Sequence, residues 1–146
     1  FSVFKFGVQN QPFLDEPVDY LIYMITIALG FAAFENIITF THYNVEQELQ
    51  ASAIVSIIRF WGPNLLHSLC SGMLGFFIFI SRLKKKKILF LLGLALASAL
   101  HGIFNLLIIN IDLKHFDSIY FLLGLLVISF LILLRMFSFS KKIQKI

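Results

Sequence analysis

Charge is scarce in this sequence. Of 146 residues only 14% are Asp, Glu, Lys or Arg, where a soluble domain carries roughly a quarter. Hydrophobic residues make up 59%, more apolar surface than one core of this chain length can hide from water. Together these figures exclude an ordinary water-soluble globular domain and make lipid the natural solvent. Cysteine is nearly absent as well. Cys70 alone rules out a disulfide framework or a thiolate metal site within one chain, and its mid-span position suits a small packing residue. Residues 1–14 are apolar and aromatic but lack the basic start and cleavage pattern of a secretory signal. The chain opens on Phe1 rather than Met, as expected of a fragment or processed piece of a longer protein. No internal repeat and no soluble domain breaks the pattern, so residues 1–146 read as one membrane domain.

What is present is a set of four apolar stretches, at about 20–41, 64–81, 88–111 and 119–136. Crossing the hydrocarbon of a bilayer takes roughly 20 apolar residues, and each stretch is near that length. The expected fold is all-α, a polytopic bundle of four transmembrane helices. A polar segment from Thr41 to Ser52, with Glu46 and Glu48, separates the first two spans. Trp61-Gly62-Pro63 is expected to break the chain there, with Pro63 in the first turn of the second span. The tail from Ser138 to Ile146 is basic and expected to fray.

The basic residues are bunched beside the spans. Arg82 and Lys84 to Lys87 follow span two, Arg135, Lys141, Lys142 and Lys145 follow span four, and Lys5 precedes span one: ten of the twelve. An N-in, C-in topology puts all ten on the cytoplasmic side, leaving Arg59 and Lys114 outside with Glu46, Glu48, Asp112 and Asp117. The net charge of +4 is therefore a topology signal with anionic-lipid contact, not a nucleic-acid patch. Arg59 and Trp61 fit interfacial anchors, and His42 and His115 fall in loops.

Ionisable groups inside hydrocarbon cost about 2.5–3.5 kcal/mol each at mid-helix, so each asks for a reason. Span one carries Glu35 beside Asn36, span two His67 with Asn64 nearer its outer end, and span three His101 with Asn105. At about 1.5 Å per residue, Glu35 lies about 10 Å from the outer surface, His67 about 6–8 Å and His101 about 15 Å. With tilt, the three fit one layer in the outer half of the membrane, and one carboxylate with two imidazoles suits zinc. Gly93, Ala97, His101 and Asn105 share a stripe of span three, where small residues let a neighbouring helix approach. His101 and Asn105, one turn apart, can point at a single site. Asn64, His67, Ser71 and Gly75 share a face of span two, and Phe31 and Glu35 a face of span one. Two readings stay open on these residues: a reactive site, or a hydrogen-bonded packing network between helices. A proton or ion pathway fits less well, because the inner halves of the spans are nearly all apolar.

The run Asp15-Glu16-Pro17-Val18-Asp19-Tyr20, followed by Ala28 to Asn36 with Phe31 and Glu35 in an F-x-x-x-E pattern, resembles the PrsW family of intramembrane metalloproteases. His67 followed by Ser71, Gly72 and Gly75, and the later His101-x-x-x-Asn105, extend the likeness over roughly residues 12–110. The resemblance implies membership of the wider group of CAAX proteases and bacteriocin-processing enzymes. It further implies a bacterial multi-pass cell-membrane protease that cuts a membrane-anchored protein, such as an anti-sigma factor, near the outer face. Glu35, His67 and His101 become metal ligands, zinc the implied cofactor, and Asn105 an oxyanion donor or a holder of the ligands. The family's paired Glu on an earlier helix has no counterpart here: Asp15-Glu16 precedes a proline in the loop before span one. That pair is held to supply a base or ligand, so the chain corresponds to a piece of the protease core that is expected to be inactive alone. A non-catalytic scaffold or immunity-type protein of the same fold is the alternative. Composition and motifs leave the oligomeric state open.

Overall fold

The computed structural model describes residues 3–8, 14–42, 53–112 and 117–144. Among these residues four long helices follow a short π-helical turn at Phe4–Val8: α1 (Pro17–His42), α2 (Ala53–Leu83), α3 (Lys87–Asp112) and α4 (Ser118–Gln144). All four are long and apolar enough to cross a membrane, over Pro17–Ile38, Trp61–Leu83, Lys87–Ile111 and Ser118–Ile143. The chain is thus an all-α, multi-pass membrane protein. The expected polar loop with Glu46 and Glu48, and the one with Lys114 and His115, lie outside the described residues, as do the side chains of Arg59, His42 and Asp112.

Local chemistry sets the helix ends. Pro17 occupies the first turn of α1, where a missing N–H leaves nothing unpaired. The backbone N–H of Glu16 donates to Asp19 Oδ2 at 2.8 Å, and the acid in the first turn complements the helix dipole. At the end of α2 the N–H of Lys86 reaches Ser81 O at 3.0 Å, and that of Lys85 reaches Arg82 O at 3.1 Å. This is a Schellman closure with Lys85 in the left-handed region at φ 53°, a place glycine more often takes. It turns the chain within three residues, so α3 returns antiparallel to α2.

Two expectations from the sequence differ from the fold. α2 does not break at Trp61-Gly62-Pro63 but runs through Pro63. Proline removes one helical hydrogen bond, whereas an irregular segment at membrane depth leaves several peptide groups unpaired, so continuing the helix is the cheaper solution in lipid. Gly62 also lies close to α3, since a Cβ there would stand 3.0 Å from Phe104 Cζ. The tail is likewise ordered: α4 continues past Arg135 to Gln144, with Ser138 Oγ donating to Leu134 O at 2.9 Å. No proline or glycine follows Gly124 to stop it.

α2 is the centre of the bundle. Of its spanning stretch 56% is buried inside the protein, against 11% for α3, and it packs on all three other helices. α1 runs antiparallel to α2, and Tyr20 near its N-terminus stacks between Phe4 and Phe79 at centroid distances of 6.0 and 5.7 Å. Arg82 donates to the Tyr20 hydroxyl at 2.9 Å. The alternating helices therefore bring Lys5, Lys84 to Lys87 and Lys141 to Lys142 to the same end of the bundle. The outer surface is greasy: Leu106, Phe121 and Ile128 are all exposed, as suits contact with acyl chains rather than water.

Candidate active site

The site is built from facing positions on α1, α2 and α3. On α1, Phe31 and Glu35 lie one turn apart and both meet His67 of α2. Glu35 Oε2 is 2.8 Å from His67 Nε2, and the Phe31 ring stands edge-on to the imidazole at 5.5 Å and 73°. On α3, the His101 ring lies 5.0 Å from the His67 ring, centroid to centroid, tilted by 44°. Three helices thus bring one carboxylate and two imidazoles into a row with His67 at its middle. Among the described residues α1 packs chiefly on α2, and α2 carries the side chain that joins Glu35 to His101.

The electrostatics of the row follow from its geometry. An ionised carboxylate only accepts; paired with one, a neutral His67 ring donates from Nε2–H and carries its lone pair on Nδ1. His67 is largely enclosed, with 13% of its side chain exposed, while Glu35 is 49% exposed. The pair is therefore enclosed on the histidine side and approachable on the carboxylate side. A carboxylate that orients an imidazole is an arrangement that can accept and return a proton in hydrolysis.

Not every residue of interest joins the row. Asn105 sits one turn beyond His101 on α3, but its side chain is exposed and makes no hydrogen bond among the described residues. Ser71 is half-buried on the His67 face. Gly75, on that same face, is where α2 touches the α1 backbone: a Cβ there would overlap the Tyr20 carbonyl. Gly93 on α3 is similarly filled by the Phe77 side chain, and Ala97 is buried. One polar contact had no direct forecast. Asn36 Nδ2 donates to Asn64 Oδ1 at 2.9 Å, beside the Glu35–His67 contact. The signal for it was two asparagines at similar depth on neighbouring spans.

The donor chemistry, two ring nitrogens and a carboxylate, fits zinc. Glu35 and His67 are, however, at hydrogen-bond spacing to each other, and among the described residues no three His, Cys, Asp or Glu side chains stand ready to hold an ion. An ion shared by the row replaces the Nε2–Oε2 contact rather than adding to it.

Comparison with known proteins adds one finding. The family model described as PrsW family intramembrane metalloprotease matches residues 3–134, nearly the whole chain. No curated protein and no solved structure matches.

Proposed function

Because the chain belongs to the PrsW family of intramembrane metalloproteases, we propose that it hydrolyses a peptide bond of a membrane-anchored protein in the outer half of the bilayer, with Glu35, His67 and His101 as the site. The observation that carries this reading is the row itself: a carboxylate and two imidazoles from three helices, in contact where each ionisable group is costly. Hydrolysis needs a water to lose a proton as its oxygen attacks the carbonyl carbon, and the departing amine to gain one. The Glu35–His67 pair holds that proton between the two steps. His101 closes the row on the α3 side, and Asn105 offers an amide donor to the oxyanion from one turn away. Were zinc bound instead, Glu35, His67 and His101 would hold it in place of the Glu35–His67 contact, and the ion rather than that pair would polarise the carbonyl and acidify the water.

The substrate class is a protein with a single membrane anchor, an anti-sigma factor being the expected kind. Both termini face the cytoplasm of a bacterial cell, on the basic-residue count. A cysteine placed at Lys85 in a Cys70→Ala background should react with a membrane-impermeant maleimide in inside-out vesicles only. Labelling from the outside of intact cells would reverse the orientation.

One observation favours the second reading, a non-catalytic scaffold or immunity-type protein of the same fold. Glu35 and His67 satisfy one another as they stand, as they would in a packing contact. The deciding experiment measures metal and cleavage together on purified full-length protein in nanodiscs. About one zinc per chain, lost in His101→Ala along with cleavage of a single-span substrate, is the expected result. Cleavage that survives both chelation and His101→Ala would remove zinc and His101 from the chemistry, and no cleavage by any preparation would leave the scaffold.

A further inference from the structure

α1 carries apolar residues on every side. Ile22, Leu29, Phe34 and Ile37 are exposed, while Leu21, Met24, Ala28 and Ala32 are buried, so hydrophobic patterning does not select which face meets α2. Lipid tails are as apolar as leucine, and association between such helices depends on close packing and polar bonds. Close packing fixes the inner half of the pair, where Gly75 lies against the Tyr20 backbone. Among the polar contacts of the outer half, two lie side by side in the described residues: Glu35 with His67 at 2.8 Å, and Asn36 with Asn64 at 2.9 Å.

Their directions differ. Adjacent residues on a helix point about 100° apart, and residues three apart point about 60° apart and sit about 4.5 Å along the axis. Glu35 and Asn36 are adjacent on α1, whereas Asn64 and His67 are three apart on α2. A single hydrogen bond leaves one helix free to roll about it, while two bonds in different directions fix roll and slide together. The Asn pair is part-buried, where an amide bond is least exchanged for water.

We propose that the Asn36–Asn64 hydrogen bond is a positioning device that sets the roll of α1 on α2, so that the Glu35 carboxylate meets the His67 imidazole. Its consequence for cleavage rests on the reading of Glu35 and His67 as site residues; its consequence for the geometry does not. Neither asparagine is asked to touch a reacting atom. A one-residue slip of α1 swings its side chains by about 100°, and a misplacement of about 1 Å at a reacting group is worth about a hundredfold in rate.

The test uses the full-length protein in nanodiscs and two substitutions at one position. Asn64→Leu keeps the branched outline and removes the acceptor, whereas Asn64→Asp keeps an oxygen facing Asn36. Asn64→Leu is expected to lower kcat about a hundredfold with KM changed less than about twofold, while Asn64→Asp stays within about fivefold of wild type. Asn36→Leu should match Asn64→Leu, and the double variant should be no worse than either. A second readout needs no activity. The ring nitrogens of His67, followed by histidine-selective 15N NMR and assigned by their loss in His67→Ala, should respond to Glu35→Gln in wild type and cease to respond in Asn64→Leu. If Asn64→Leu inserts poorly, Asn64→Ser, polar but too short to reach Asn36, gives the same loss.

An unaltered His67 response and an unaltered kcat in the Leu and Ser variants would overturn the positioning role. Should His67→Ala cleave like wild type, or wild type not cleave, the protease reading of this row fails instead, and the NMR response alone then decides whether the asparagines hold Glu35 against His67.

Discussion

Changing Glu35 to Gln, His67 to Ala or His101 to Ala, one at a time, is expected to lower cleavage of a membrane-anchored substrate by about a thousandfold or more, with each protein still inserted in the membrane. The size follows from the chemistry at stake: a positioned acid–base group is worth about 10²- to 10⁴-fold. Glu35→Gln is the sharpest of the three. The amide keeps the shape of the carboxylate and can still accept from His67 Nε2, so the α1–α2 contact should survive while the proposed proton acceptor is lost. Its effect on stability should stay below about 1 kcal/mol, the range of interhelical hydrogen bonds in lipid. His67→Ala removes more at once, because that ring touches Glu35, Phe31 and His101. Groups that act as a unit are not additive, so Glu35→Gln combined with His67→Ala should be no slower than the worse single variant. Cleavage at the normal rate in all three single variants, measured beside matched amounts of inserted protein, would end the case for this site.

The parts of the fold that could be read from the residues are those that lipid enforces. Long apolar stretches must become helices because peptide groups in hydrocarbon have no other partner, which is why four spans were legible. Counting residues inward from the polar boundaries was enough to put Glu35, His67 and His101 at similar depth, and the helices hold His67 Nε2 at 2.8 Å from Glu35 and the His67 ring 5.0 Å from that of His101. What counting does not give is direction. Asn36 and Glu35 are neighbours in the chain, and nothing in their types says which faces His67 and which faces Asn64. The continuity of α2 through Pro63 was hidden for a related reason. Gly-Pro reads as punctuation in water, but the competing state in a membrane is worse than a helix lacking one bond. At Lys85 the usual sign of a left-handed residue, glycine, is absent, so the tight turn between α2 and α3 showed only as a run of charge.

Gly75→Val is expected to give the largest loss of folded protein of any single change away from the polar row. A Cβ at this position runs into the carbonyl of Tyr20 and comes within 3.0 Å of the Leu21 Cα. These are backbone atoms of α1, which cannot rotate aside as a side chain does, so the whole helix must move away. The position lies between the Tyr20–Arg82 contact and the Glu35–His67 contact, and a wedge there strains both. Overpacking costs about 1–3 kcal/mol in well-packed protein, and a wedge against backbone belongs at the upper end. Even Gly75→Ala should destabilise, although alanine favours a helix over glycine by about 1 kcal/mol. Gly30 supplies the control: it lies on α1 with no atom within 4 Å of an added Cβ, so Gly30→Ala should be neutral or stabilising. Unfolding of the purified variants by SDS in mixed micelles measures both signs. A Gly75→Val protein as stable as wild type would mean that α1 does not approach α2 this closely, and the contact between Glu35 and His67 would have to be held by other means.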